Sequence, residues 1–204
     1  MISKTVDVNG FIWPASDTEC RRVVFSTTRD MEAAIKLAKG RKCAVQAGGN
    51  CGVWPAYLAK KFDVVYTFEP DATNYACLVQ NVPENVVSAN YALSDRVGMV
   101  GMVRDMRNIG AHYIDEDGDE LATAKIDGLN LDACDYICLD VEGFEMAALR
   151  GAVDTIRKFH PVIQCEDKGL SNKYGYEKGA IEKWLAFHFG YKVEARIHRD
   201  VILA

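Results

Sequence analysis

Positive charge is in short supply in this 204-residue chain: 24 Lys and Arg stand against 29 Asp and Glu, for a formal net charge of −5. A surface that meets many phosphates has to be basic, so nucleic acid is not expected as the main partner. Long apolar runs are missing as well. No window approaches the roughly 18 apolar residues of a membrane span. The opening MISKTVDVNGFIW has no charged leader ahead of an apolar segment, so a soluble, cytoplasmic chain without membrane contact is expected. Paired cysteine spacings are absent too. Cys20, Cys43, Cys51, Cys77, Cys134, Cys138 and Cys165 are odd in number and most fall in apolar, strand-like runs. That argues against a zinc site or a disulfide framework and reads as reduced core thiols. There is no internal repeat, linker or low-complexity segment. With 49% hydrophobic residues, what is left fits one compact domain over 1–204, monomeric or homodimeric, in which residues 1–30 form an N-terminal extension or cover.

The stretch AVQAGGNCGVW, Ala44–Trp54, reads as a buried strand running into a glycine-rich turn and then a helix. Gly48, Gly49 and Gly52 allow a tight turn and close approach to a ligand, and Asn50 suits a helix cap. VVYTFEP, Val64–Pro70, is a second buried strand, and it ends on Glu69. Glu69 lies 21 residues beyond Gly48, close to the spacing at which an acid accepts hydrogen bonds from a ribose diol in nucleotide-binding βαβ units. The pair points to an adenosine-bearing cofactor. Ala47, Gly49 and Gly52 also occupy the three positions of the dinucleotide fingerprint, so a nicotinamide cofactor stays open at this point.

In chain order, a helix is expected over Asp30–Lys39 with Met31, Ala34, Ile35 and Ala38 on one face, then a strand over Lys42–Ala47 and a helix over Val53–Lys61. Strand Asp63–Phe68, helix Asn74–Gln80 and strand Asn85–Ala89 follow. Met99–Val103 reads as a strand, and Arg104–Gly118, with turn residues and little periodicity, as a mobile substrate loop. Strand Asp135–Val141, helix Glu145–Phe159, strand Pro161–Glu166 and helix Glu177–Phe189 come next, and YKVEARIHRDVILA reads as a hairpin turning at Arg199-Asp200. This alternation predicts an α/β, Rossmann-like doubly wound, mostly parallel sheet with a C-terminal antiparallel hairpin, its site at the strand carboxyl ends.

Five short motifs occur in order: QAGGNCG at 46–52, FEP at 68–70, ALSD at 92–95, LDVEG at 139–143 and PVIQCE at 161–166. Together they resemble the FkbM type of S-adenosylmethionine-dependent methyltransferase over residues 42–170. The resemblance implies S-adenosylmethionine as cofactor and transfer of its methyl group to a hydroxyl of a small-molecule or glycan acceptor. It implies cofactor contacts from Gln46, Gly48, Gly49, Asn50, Gly52, Glu69, Asn90, Ala92 and Asp140, with Tyr91 along the adenine. Gln46 stands where the family pattern has an acid. An amide supplies no charge, so a degenerate, non-catalytic nucleotide-binding or interaction domain of the same fold is the alternative.

The acids Asp140, Glu142, Glu166 and Asp167 fall at neighbouring strand ends and are expected on one rim. Such a cluster deprotonates a hydroxyl, with Asp140 and Glu142 as catalytic candidates, or holds a hard cation such as Mg2+, with Asp140, Glu166 and Asp167 as ligands. A related group of sugar methyltransferases implies the metal reading; a helix-capping role for Glu142 is the simpler one. His112, in the expected substrate loop, is a candidate general base. Trp54 and Tyr57 read as packing, and the acidic run Asp115–Glu120 as a solvated loop.

Overall fold

The apolar runs form a seven-stranded sheet in the computed structural model, which describes residues 4–204; positions 1–3 of the expected N-terminal cover lie outside it. In chain order its strands are β1 (Cys43–Ala47), β2 (Val64–Phe68), β3 (Val86–Ala89), β4 (Tyr136–Leu139), β5 (Val162–Glu166), β6 (Val193–Ile197) and β7 (Asp200–Leu203). Across the sheet they lie in the order β6-β7-β5-β4-β1-β2-β3. Strands β1 to β5 pair in parallel, and β7 runs antiparallel to β5 and β6. The doubly wound sheet with a C-terminal hairpin is thus the observed fold. The order reverses between β1 and β4, which opens a crevice above their carboxyl ends.

Strands β1 and β4 are buried throughout because both faces are covered. Val45, Ala47, Ile137 and Leu139 pack with Leu149, Ile156 and Leu185 on one side, while Ala44, Tyr136 and Cys138 pack with Met31, Ile35 and Leu58 on the other. All seven cysteines are buried free thiols, as expected. No helix among the described residues is long and apolar enough to cross a membrane.

Four local expectations are corrected. The N-terminal cover, from residue 4 on, contains a helix that was not expected, Cys20–Thr27, after a hairpin of Thr5–Val8 with Phe11–Pro14 that turns on Asn9-Gly10, both at positive φ. The buried Asp17 carboxylate starts that helix by accepting from the backbone N–H of Cys20 (3.1 Å) and Arg21 (2.8 Å), and from Trp13 Nε1 (2.8 Å). The expected helix over Glu145–Phe159 is two, Glu145–Arg150 and Val153–Phe159. At the break, a Cβ on Gly151 would lie 2.0 Å from the Ser94 carbonyl oxygen, so only glycine lets ALSD pack there. Within Arg104–Gly118, Tyr113–Asp115 is a strand paired with Gly98–Val103 in a second sheet. Its hydrogen-bonding partner precedes it in the chain, which local periodicity does not reveal. The last hairpin turns at His198-Arg199, and Asp200 is already in β7.

Candidate active site

The carboxyl ends of the parallel strands face a cavity of about 940 Å³. Its floor carries Ala47 at the end of β1 with Gly48, Gly49 and Asn50 after it, Glu69 after β2, and Asp140 after β4. Helix Cys20–Thr27, the segment Asn108–His112 and the turn Ile197–Asp200 enclose it. The C-terminal turn reaches the site because β7 is antiparallel, which sets Asp200 opposite Glu166.

The glycine turn fits only as glycine. Gly48 has φ +82, and a Cβ on it would sit 1.9 Å from the Asp140 carbonyl oxygen. The backbone N–H groups of Gly48 and Gly49 both donate to the Phe68 carbonyl, at 3.1 and 2.9 Å, fastening the turn to the end of β2. Asn50 does not cap the following helix. Its Oδ1 accepts from the N–H of Cys51 (2.7 Å) and its Nδ2 donates to the Ile109 carbonyl (3.3 Å), which ties the turn to the covering segment.

Glu69 is 5% exposed. One carboxylate oxygen accepts from Asn50 N–H (2.7 Å), the other from Asp71 N–H (2.8 Å). Each oxygen keeps a lone pair, so the group still has acceptor capacity for a diol in the cavity. Burial pushes the Glu69 carboxyl up to about 7, against the pull of those N–H groups. Ala92 and the half-exposed Tyr91 line the wall beyond it. Asn90 is not on the wall: its Nδ2 donates to the carbonyls of Glu69 (2.7 Å) and Pro70 (2.9 Å) and so holds the strand end from behind. Gln46 is fully buried and also absent from the wall. Its amide accepts from the Thr67 hydroxyl and donates to the Ala47 carbonyl (2.9 Å).

On the β4 and β5 side, one oxygen each of Asp140, Glu142 and Glu166 lie within 4.8 Å of one another. Lys168 joins them, its Nζ 2.9 Å from Glu142 Oε2 and 2.7 Å from Glu166 Oε2. The expected set with Asp167 does not form. Successive residues of an extended strand point to opposite sides, so Glu166 faces the cavity while the Asp167 carboxylate accepts from Gly179 N–H (2.9 Å). Glu142 sits at φ +55 and does not cap the helix. That turn is held by the buried Glu145, which accepts from the N–H groups of Val141 (3.1 Å) and Gly143 (3.2 Å). Burial, then the charges of Glu166 and Glu142, push the Asp140 carboxyl well above the usual range.

His112 does line the cavity, but its Nδ1 accepts from Asp105 N–H (3.1 Å). In the neutral ring the proton is then on Nε2, and burial pushes the pKa down, which favours that neutral form. The ring therefore offers a donor rather than the expected base. Trp54, expected only to pack, also lines the cavity, with Nε1 donating to Thr27 Oγ1 (3.0 Å). Sequence reading missed Lys168, whose signal is its place two residues after the strand-end Glu166.

The raised carboxyls have a measurable consequence. Burial takes Glu69 and Glu145 each to about 7, so the folded state holds protons that the unfolded chain releases near 4.5. Stability should therefore fall as pH rises from about 5 to about 8, on the order of 3 kcal/mol per group at most. Asp140 acts in the same direction. Glu166 and Asp200, raised by burial, act the same way, and His112, shifted down, opposes these five below about 6.5. The lowered carboxyls of Asp71, Glu32 and Asp105 act at lower pH still. A ligand-free melting temperature that stays level or rises over that range would refute this.

Three solved structures share the fold. Methyltransferase FkbM from Methylobacillus flagellatus KT superposes with a TM-score of 0.59 at 20% identity, over 88% of this chain and 47% of that one. This chain therefore spans about half the length of that structure. Precorrin-6y C5,15-methyltransferase from Geobacter metallireducens gives 0.54 at 14% identity, over 97% and 94% of the two chains. Magnesium protoporphyrin IX methyltransferase from Synechocystis, solved with bound SAM, gives 0.52 at 13% identity, over 90% and 79%. No curated protein matches the sequence. The model of the methyltransferase FkbM domain matches residues 46–193, which spans the glycine turn, Glu69, the acid cluster and the sheet from β1 into β6. The chain accordingly belongs to the FkbM methyltransferase family.

Proposed function

We propose that this chain is an S-adenosylmethionine-dependent methyltransferase that methylates a hydroxyl of a small molecule or sugar. The observation that carries the proposal is the buried Glu69 carboxylate, held by the N–H of the glycine turn, on the same cavity as Asp140. The volume of about 940 Å³ lies within the range of small-molecule sites, with room for an acceptor beside a cofactor. S-adenosylmethionine, when bound, supplies a methyl group on a sulfonium. Glu69 accepts hydrogen bonds from the ribose diol, the 48–52 turn receives the methionine portion, and Ala92 with Tyr91 offers an apolar wall to the base. Asp140, whose burial and acidic neighbours raise its proton affinity, accepts the proton of the acceptor hydroxyl as its oxygen is methylated.

The acids do not fit a divalent cation, because the Lys168 ammonium already occupies the space between two of the three carboxylates and contacts both. No step is assigned to a metal. The degenerate alternative rested on Gln46, and since that side chain is off the cavity wall, its lack of charge removes nothing from the wall.

Calorimetry with S-adenosylmethionine and its demethylated product tests the proposal: absence of binding heat for both ends it. Asp140→Asn should lower turnover by roughly 100-fold or more, the usual worth of a positioned base, with cofactor affinity changed only a few-fold. Full turnover in that variant would remove Asp140 from the base role.

A further inference from the structure

Three ionised carboxylate oxygens within 4.8 Å of one another repel, and a cation among them relieves that repulsion. A divalent ion with oxygen ligands is one solution. Here the chain brings its own. The Lys168 ammonium makes charge-assisted contacts of ordinary length with Glu142 (2.9 Å) and Glu166 (2.7 Å). We infer that Lys168 is the resident cation of this cluster, a positioning residue that holds Glu142 and Glu166 where a metal would otherwise sit, so that catalysis here needs no metal ion. That catalysis needs no metal rests on the methyltransferase reading; the exclusion of metal from the cluster does not.

The backbone around Lys168 is fastened from several directions, which fixes where the side chain starts, and the two carboxylate contacts hold the ammonium at its end. On one side Asp167 N–H donates to the Arg199 carbonyl (2.8 Å), and the Asp167 carboxylate accepts from Gly179 N–H (2.9 Å). On the other, the Leu170 backbone lies so close to Gly143 that a Cβ there would meet Leu170 carbonyl atoms at 2.7 Å. Glu142, next to Gly143, takes a left-handed conformation, φ +55, that a non-glycine residue adopts only when its surroundings impose it. A divalent ion entering the cluster has to displace a tethered, preorganised ammonium, while Asp140 keeps an oxygen for the acceptor.

Titration of EDTA-treated protein with Mn2+, followed by the electron paramagnetic resonance of free Mn2+, tests this without any cofactor. Wild-type protein should leave Mn2+ free. Lys168→Met, which leaves three acids without a cation, should bind it roughly tenfold more tightly or better, and Lys168→Arg should behave as the wild type. Wild-type Mn2+ binding that Asp140→Asn removes would overturn the inference, and so would a folded Lys168→Met that still leaves Mn2+ free. If Lys168→Met does not fold, Lys168→Gln serves for the same comparison. Where turnover is measured, EDTA should leave it unchanged. Failure to bind S-adenosylmethionine would count against the methyltransferase reading and leave the Mn2+ result intact.

Discussion

Gly48→Ala is expected to lower the melting temperature by roughly 10 °C or more, or to prevent folding, whereas Gly10→Ala at the same backbone angle should cost only a few degrees. Both glycines have φ +82, so both alanines incur the left-handed penalty of roughly 1–2 kcal/mol. They differ in what the new methyl group meets. At Gly10 nothing lies within 4 Å; at Gly48 the methyl would sit 1.9 Å from the Asp140 carbonyl oxygen. That oxygen belongs to backbone at the end of β4, where Asp140 N–H donates to the Ala47 carbonyl (3.1 Å), so relief requires parting β1 from β4. A cost above about 4 kcal/mol follows, and at this chain length each kcal/mol is worth roughly 2–4 °C. Thermal melts of the two variants side by side decide it. Equal losses would mean that the strand ends yield more easily than their packing indicates.

Glu69→Gln should weaken S-adenosylmethionine binding by about 100-fold, measured by calorimetry near pH 8. Both carboxylate oxygens already accept a backbone N–H, from Asn50 and from Asp71. An amide has a single acceptor oxygen, so its NH2 must face one of those donors. The turn then keeps an unpaired buried N–H, which loosens the site before any ligand binds, and the ribose loses a charged acceptor worth about 1.5–3 kcal/mol, a range that includes 100-fold. The wild type carries a further signature. With burial holding Glu69 at about 7, ionisation is incomplete below that pH, so affinity should rise by up to roughly tenfold between pH 6 and pH 8. In the variant this rise should vanish. An equally steep rise in both proteins would assign the titration to another group and take Glu69 out of the ribose contact.

By itself the sequence determined the sheet and the floor of its cavity. Continuous apolar runs bounded by glycine and acids specify buried parallel strands, and the residues that end β1, β2 and β4 sit at the switch point whatever surrounds them. The family was legible for the same reason: its motifs are local strand-end segments whose shape follows from a few neighbouring residues. The walls were decided only in the folded chain. Lys168 gains its place from facing Glu142, which is 26 positions earlier. His112 loses its role as a base to the Asp105 N–H, a contact set by the path of the covering segment. Gln46 and Asp167 are turned from the cavity by strand alternation, whose phase depends on which face each neighbouring layer covers. The C-terminal turn enters the site because β7 runs antiparallel to β5. Spacing along a chain fixes what one strand or turn presents. Which groups from separate strand ends meet, and which proton or charge each then carries, is set by distances that exist only after the sheet has formed.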